Sequence, residues 1–165
     1  MRPALLPPAL LVALVVIFCG RAEAACVGLG CSCSISVDDV SFGTYDPLSG
    51  SNHDATGEVR VTCGALIASV SVSYTISLSS GSSGTAMSRS MANGGSTLAY
   101  NLYTNPSRTN VWGNGAGGTV TLGNSYTLSL LFPKTDAFPV YGRIPPGQTV
   151  GAGSYSDSLV ATVTF

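Results

Sequence analysis

The C-terminal segment of the chain alternates between apolar and polar positions. The apolar positions fall on one face of an extended chain: Tyr155, Leu159, Ala161, Val163 and Phe165. The opposite face carries Ser156, Ser158, Thr162 and Thr164. A period of two with β-branched and aromatic residues predicts a half-buried β-strand. Because the apolar face persists as far as Phe165, we expect another strand to pair beside this segment; an ordinary closing strand of a sandwich is the alternative.

The same period recurs along the rest of the chain. Its clearest example runs from Ser69 to Ser79, where valine, tyrosine, isoleucine and leucine alternate with serine and threonine. Further segments with this pattern are Ser34–Val40, Glu58–Cys63, Leu98–Thr104, Tyr126–Phe132 and Val140–Gly142. Turn sequences rich in glycine, proline and asparagine separate them, and no window beyond the N-terminal segment has a helical period. About seven short strands joined by such turns predict an antiparallel β-sandwich.

Residues 1–24 have the three-part layout of a secretory signal peptide. Arg2 supplies a basic start, an apolar run extends from Ala4 to Gly20, and Ala22-Glu-Ala24 is a small-x-small cleavage site. The run is short for a comfortable membrane span. We therefore expect this leader to be removed, leaving a single mature domain of residues 25–165 with no stable membrane insertion.

Two alternatives concern the end of the leader. Cleavage is expected after Ala24, with Ala25 as the second choice. Cys26 follows these small residues, as the lipid-bearing cysteine of a lipoprotein would. Glu23, however, stands where a lipoprotein signal carries an aliphatic residue, so the secreted form is favoured over the lipoprotein.

The charge of the chain is low and scattered. Charged residues make up 9% of the sequence, and removing a leader with two arginines and one glutamate changes the formal net charge from −1 to −2. No basic stretch remains that could hold a nucleic-acid backbone. The serine, threonine and glycine content is typical of an extracellular surface.

The cysteines predict disulfide bonds. Of five cysteines, Cys19 belongs to the leader, and the remaining four allow three pairings. Cys33 and Cys63 are each in phase with the apolar positions of their strands, so we predict Cys33–Cys63, which leaves Cys26 and Cys31 as a possible local pair. Closing a loop of about thirty residues would stabilise the fold by roughly 3–4 kcal/mol. The Cys-Ser-Cys spacing does not suit a metal site.

The sequence offers little that would support catalysis or a cofactor. His53 and Asp54 form the only histidine–carboxylate pair, and their surroundings predict a solvated loop rather than a catalytic site. Asp38, Asp39 and Asp46 do not converge as calcium ligands, because two alternate on a strand and the third begins a turn. The glycine-rich loops lack the helix and lysine that phosphate binding requires. We predict no enzyme activity, metal or cofactor.

Four aromatic residues allow two interpretations. Trp112, Tyr100, Tyr103 and Tyr141 lie in or beside the strand segments of the second half of the chain. They could form a surface that binds sugars or abiotic material, or they could pack within the sandwich. We favour packing, with Tyr103 as the most exposed ring because it lies out of phase with Leu102.

A series of short motifs covers almost the whole mature chain. They are Cys33–Val37, Phe42–Pro47, Val61–Cys63, Arg89–Met91, Leu98–Thr104, Arg108, Val111–Gly113, Val140–Gln148, Gly153–Asp157 and Val163–Phe165. In this order they resemble the spore coat protein U domain family, which includes subunits of archaic chaperone–usher pili. The resemblance implies an incomplete immunoglobulin-like β-sandwich that a donor strand completes.

The resemblance also implies partners and a route to the cell surface. In such pilins a periplasmic chaperone lends a strand beside the C-terminal strand, and the next subunit replaces it at the outer-membrane usher. The implied function is that of a structural subunit of a secreted pilus or fimbria that supports adhesion or biofilm formation. The implied acceptor groove is bordered by Leu159, Ala161, Val163 and Phe165.

The chain departs from this family at its mature N-terminus. A subunit that donates a strand needs an alternating apolar extension, whereas the segment from Ala25 to Ser32 is short and interrupted by glycine. The chain is therefore expected to accept a strand more readily than to donate one, which suits a terminal position in a fibre. The alternative is a stand-alone secreted coat protein or a surface-binding adhesin.

Overall fold

The computed structural model describes residues 30–66, 70–129 and 132–165, and the backbone of residues 11–17. The strands are β1 (Leu11–Ile17), β2 (Cys31–Asp38), β3 (Ser41–Tyr45), β4 (His53–Ala65), β5 (Val70–Leu78), β6 (Arg89–Asn93), β7 (Ser96–Tyr103), β8 (Leu122–Leu128), β9 (Lys134–Ile144), β10 (Ser154–Leu159) and β11 (Ala161–Thr164). One 3₁₀ turn spans Gly81–Ser83. In these ranges, no helix has the length and apolar character needed to cross a bilayer.

The strands form two sheets. The larger has the order β2-β4-β9-β7-β6-β10-β1-β3, and the smaller has the order β11-β5-β8. Among these strands every pairing is antiparallel except that of β1 with β10. The prediction of an all-β sandwich is therefore confirmed.

The core follows from the alternation seen in the sequence. In β5 the residues from Val70 to Leu78 are buried at every second position. Trp112 is fully buried, and its indole N–H donates to the Ile76 carbonyl over 3.1 Å. Each fully buried aliphatic side chain contributes about 1.5–3 kcal/mol relative to exposure. The sandwich is thus stabilised by the faces that the period of two identifies.

Two strands in the second half of the chain differ from the prediction. The segment predicted as Tyr126–Phe132 is instead β8, which ends at Leu128. Phe132 is 75% exposed, and its N–H donates to the Ser129 carbonyl in a turn, so it does not line the core as the alternation indicated. Leu130 lies outside the described residues.

The strand predicted as Val140–Gly142 is much longer and passes through a proline. It is β9, which pairs with β4 along its whole length, from Lys134 to Ile144. Pro139 is tolerated because β7 pairs with β9 only from Tyr141 to Arg143, so no ladder meets Pro139 on that side. The proline is a poor signal of a strand end at this position.

The predicted C-terminal strand is divided between the two sheets. β10 lies in the large sheet and β11 in the small one, with Val160 between them. Val160 is held at this crossing by two hydrogen bonds with Ser79: its N–H donates to Oγ over 2.9 Å, and its carbonyl accepts from the Ser79 N–H over 3.0 Å. Because apolar and polar residues keep alternating in the same phase through Val160, the sequence alone predicted a single strand where the structure has two.

The disulfide prediction is confirmed for one pair. Cys33 and Cys63 are bonded and lie directly opposite each other in the β2–β4 ladder. Cys31 is also in a disulfide bond. Cys26 lies outside the described residues, so its pairing with Cys31 stays a prediction.

Candidate functional site

The candidate site is a position in the large sheet between β3 and β10, which we call the slot. β1 lies in the slot, parallel to β10 from Val12↔Ser154 to Ile17↔Leu159. On its other side β1 is antiparallel to β3, with a register shift between Ala13 and Leu14. The slot is therefore a place where a strand is paired on both edges.

The β10 wall of the slot has an apolar inner face with one buried carboxylate. Tyr155, Asp157 and Leu159 are buried, whereas the serines between them are exposed. The opposite edge of β10 meets β6 through only one register pair, Ser156↔Ala92. Consequently the strand in the slot supplies most of the main-chain pairing of β10.

The β3 wall is an edge strand fixed by side chains. Within the described residues, β1 is the only strand that pairs with β3. The Tyr45 hydroxyl donates to the Pro145 carbonyl over 3.1 Å and accepts from the Gln148 N–H over 3.0 Å. The Phe42 ring packs edge-on against Tyr100, with 6.0 Å between centroids. These contacts connect β3 to the rest of the domain without a ladder.

His53 belongs to the same attachment, contrary to the prediction of a solvated loop residue. It begins β4 and is half-buried, because β4 starts at this residue instead of five residues later at Glu58. Its Nε2 lies 2.5 Å from the Phe42 carbonyl oxygen, and its ring stands edge-on to Tyr45. His53 therefore ties β3 to β4.

The four residues predicted to border the acceptor groove share one face but are divided by the sheet crossing. Leu159 is fully buried and lies on the β10 wall, in register with β1. Ala161 is buried on β11, and Val163 and Phe165 are partly buried against the core. β11 pairs with β5 on one edge, and in the described part of the chain no strand pairs with its other edge.

A buried polar network lies directly behind β10. The Asp157 carboxylate accepts hydrogen bonds from the Tyr100 hydroxyl over 2.7 Å and from the backbone N–H of Ser82 and Ser158 over 2.9 Å each. Burial, followed by the hydrogen bond to Asp157, raises the pKa of Tyr100 far above its usual range. Because Gly81 lies against this carboxylate, a Cβ there would collide with it. These hydrogen bonds hold the buried face of β10 in place.

Arg89 is a second buried polar group of the domain. Its guanidinium donates to the carbonyls of Ser79 and Trp112 and to Asn101 Oδ1, at 2.6, 2.8 and 2.8 Å. Burial lowers the pKa of this guanidinium. Buried charge is tolerated where every donor finds a partner. The sequence analysis named Arg89 and Asp157 only within family motifs and gave neither a structural role; a further signal was that Asp157 falls in phase with Tyr155 and Leu159.

The four aromatic residues considered for surface binding do not share a surface. Trp112 and Tyr100 are buried, so their use as an exposed platform is excluded. Tyr103 and Tyr141 are half-buried and opposite each other between β7 and β9. The Arg108 guanidinium lies 5.7 Å from the Tyr141 ring centroid. The favoured interpretation, packing within the sandwich, is therefore correct for Trp112 and Tyr100.

Two of the exposed carboxylates, Asp54 and Asp38, are paired with arginines. Asp54 accepts from Arg143 Nε over 2.8 Å and lies 3.2 Å from Arg108, and the hydrogen bond from Arg143 lowers its pKa. Asp38 pairs with Arg60 over 2.8 Å. Across residues 30–66, 70–129 and 132–165, no three histidine, cysteine or acidic side chains are grouped as metal ligands would be.

These features define a class: a two-sheet β-sandwich in which a separate strand occupies the position beside β10. The same fold occurs in the crystal structure of the CsuC–CsuE chaperone–tip adhesion subunit pre-assembly complex from archaic chaperone–usher Csu pili of Acinetobacter baumannii. The TM-score is 0.52 with 21% sequence identity, over 82% of this chain and 40% of the matched chain. This chain thus spans well under half of that protein, and the likeness shows the fold.

Sequence comparison identifies the family. The chain is 36% identical over 150 residues to Protein U of Myxococcus xanthus, across 83% of this chain and 79% of the relative. The model of the Spore Coat Protein U domain matches residues 24–162. The chain belongs to the Spore Coat Protein U domain family, as the motifs in its sequence indicated.

Proposed function

We propose that the mature chain is a strand-accepting structural subunit of a secreted pilus or fimbria. One observation carries the proposal: β1, which fills the slot, lies within residues 1–24, the segment that the sequence marks as a cleaved signal peptide. Removing that segment takes away the one described strand that pairs with β3 and opens the long edge of β10. The mature domain then needs a strand from another protein.

The energetics favour strand addition at this position. β1 forms six register pairs with β10 and four with β3. A main-chain hydrogen bond contributes about 0.5–1.5 kcal/mol net, and a buried group left without a partner costs about 1–3 kcal/mol. An open edge beside an apolar core is also prone to aggregation. A donor strand restores the hydrogen bonds, and its alternate side chains supply specificity.

The proposed acceptor site continues from the slot along the open edge of β11. Leu159, Ala161, Val163 and Phe165 form its border, because they share the inward face of the C-terminal segment. Their common phase across the crossing at Val160 supports a single donor strand that contacts both sheets.

The proposed partners are a periplasmic chaperone, an outer-membrane usher and other subunits of the fibre. The chain passes through the periplasm and ends at the cell surface, where the fibre supports adhesion or biofilm formation. The fold shared with a chaperone-bound tip subunit supports the chaperone and subunit partners. The glycine-interrupted segment from Ala25 to Ser32 supports a terminal position in the fibre. We assign the chain no catalytic role and no cofactor.

Co-expression tests the proposal. The mature chain is exported with and without the chaperone encoded nearest to its gene, and periplasmic extracts are separated by size. We expect a one-to-one complex with the chaperone, and degradation or self-association without it. A monodisperse, protease-resistant monomer that unfolds cooperatively in the absence of any donor would contradict the proposal.

The second candidate is a stand-alone secreted coat protein or a surface-binding adhesin. It is favoured by the similarity to Protein U, which extends over 79% of that relative, and by the description of the family as a spore coat domain. The stable monomer described above is the result expected from this function.

A further inference from the structure

We propose that Arg89 is a positioning residue of the acceptor site: it binds the Ser79 carbonyl and thereby sets the point at which the C-terminal segment crosses from the large sheet to the small one. The inference rests on the proposed function, because the crossing joins β10 and β11, the two parts of the proposed acceptor edge. It adds the side chain that fixes these two parts relative to each other.

The hydrogen bonds at the crossing depart from those of a regular ladder. Ala161 is opposite Leu78 in the β11–β5 ladder, so the next pair in the same register is Val160 with Ser79. The Ser79 N–H donates to the Val160 carbonyl over 3.0 Å, as in a hydrogen-bonded antiparallel pair. In such a pair the Val160 N–H donates back to the Ser79 carbonyl, but here it donates to Ser79 Oγ over 2.9 Å. The main-chain ladder therefore ends at this pair.

The Ser79 carbonyl oxygen is occupied by Arg89 instead. The guanidinium donates to this oxygen from Nη2 over 2.6 Å and from Nε over 3.2 Å. A carbonyl oxygen has two lone pairs, so the two bonds from Arg89 fill its capacity as an acceptor. The Val160 N–H consequently bonds to the hydroxyl, and the chain leaves the small sheet at this residue.

Arg89 also holds the end of β5 through a neighbouring segment. Its Nη2 donates to the Trp112 carbonyl over 2.8 Å, and the adjacent Gly113 carbonyl accepts from the N–H of Leu78, the last residue of β5, over 3.1 Å. On its other side Arg89 donates to Asn101 Oδ1 over 2.8 Å. Arg89 begins β6 and Asn101 lies on β7, and both strands belong to the large sheet. This one guanidinium therefore links the large sheet to the end of the strand that carries β11.

The shape and burial of Arg89 make this role specific to arginine. The residue is 1% exposed, so its guanidinium depends on these acceptors to offset the cost of burying a charge. Lysine keeps the charge but has a single nitrogen in place of the planar fork, so it cannot serve the same set of acceptors. We expect Arg89→Lys to loosen the crossing, so that β11 no longer has a fixed position relative to β10. A donor that contacts both sheets then loses the contribution of β11.

A double-mutant cycle on chaperone binding tests the positioning role. Each tagged variant of the mature chain is co-expressed with the chaperone encoded nearest to its gene and with the unsubstituted mature chain carrying a second tag, and the chaperone recovered on each tag is compared. Val163→Thr places a hydroxyl on the inward face of β11, and Leu159→Val removes a methylene from β10. We expect each to lower the share of chaperone about tenfold. Combined with Arg89→Lys, Leu159→Val should still cost about tenfold, but Val163→Thr less than about twofold.

A second variant separates positioning from general destabilisation. A change that only lowers the stability of the domain leaves the fold-changes on both strands as they were. Ser79→Ala removes the Oγ acceptor of the Val160 N–H without exposing or unpairing a buried charge. Ser77→Ala is its matched control, two residues away on the same face of β5. We expect Ser79→Ala to reduce the cost of Val163→Thr and Ser77→Ala to leave it at about tenfold, and this pair decides the question if Arg89→Lys yields no complex.

The outcomes separate this inference from the proposed function. If Val163→Thr still costs about tenfold alongside Arg89→Lys or Ser79→Ala, the positioning role is overturned and the acceptor site stands. An equal fall in the costs of Val163→Thr and Leu159→Val would also overturn it, because the effect would not be confined to β11. If the unsubstituted chain recovers no chaperone, the proposed function is overturned, and the positioning role with it.

Discussion

Val163 and Thr162 are adjacent on β11 and offer a matched test of the acceptor edge. Val163 is partly buried against the core and Thr162 is exposed, yet both pair with β5 in the same ladder. In Val163→Asp, losing part of the valine burial costs about 1 kcal/mol and placing a charge in an apolar groove adds several more. We expect a total of about 3–4 kcal/mol, or two to three powers of ten in a binding constant. Thr162→Asp should cost under about 1 kcal/mol.

The assay is recovery of a co-expressed chaperone by each tagged variant of the mature chain. A core variant remote from β10 and β11, Val61→Ala, controls for general instability, since burial of this side chain makes its truncation cost about 2–3 kcal/mol. We expect recovery to follow the order Thr162→Asp, Val61→Ala, Val163→Asp, with the last nearly absent.

Two results would refute the reasoning. Equal recovery of Val163→Asp and Thr162→Asp would show that the inward face of β11 does not border the acceptor groove. A loss with Val61→Ala as large as that with Val163→Asp would show that the assay follows domain stability rather than contacts at the edge.

Three further predictions concern stability. Cys63→Ala should lower secretion yield much more than Cys26→Ala, because it removes a bond that closes a loop of about thirty residues and contributes roughly 3–4 kcal/mol; equal yields would contradict this. Tyr100→Phe should lower the midpoint of thermal unfolding of the chaperone complex, because the buried Asp157 carboxylate loses a donor at a cost of about 1–3 kcal/mol; an unchanged midpoint would count against the network. The lowered pKa of Asp54 predicts stability that is present above the ordinary aspartate pKa of 3.8 and is lost as pH falls through the folded pKa. Asp54→Asn should therefore flatten the acid limb of the stability profile, whereas an identical limb in both chains would refute the contribution.

The strands that the sequence predicted well are those with one buried face. β5 alternates serine or threonine with large apolar residues, and its observed range, Val70–Leu78, lies within the predicted one. The inward phase of β10 and β11 was equally clear. Alternation with a period of two reports which face of a strand meets the core, and it can be read from a short window of the sequence.

What the sequence could not predict depends on contacts between distant segments. His53 looked like a loop residue because its partner, Phe42, lies eleven positions away on a strand of atypical composition. The roles of Arg89 and Asp157 could not be read from the sequence, because their partners come from other strands and loops. The sequence predicted a leader that is removed, and nothing in it indicated that Leu11–Ile17 would pair with β3 and β10.

The side-chain attachment of β3 has a consequence for how quickly and tightly a strand can bind. Tyr45 contacts Pro145 and Gln148, and His53 on β4 contacts the Phe42 carbonyl, so part of the attachment of this wall lies outside the slot. A binding surface that is already ordered spares the incoming chain the entropy cost of arranging it. These side-chain contacts therefore lower the part of that entropy cost that falls on the β3 side of the acceptor edge.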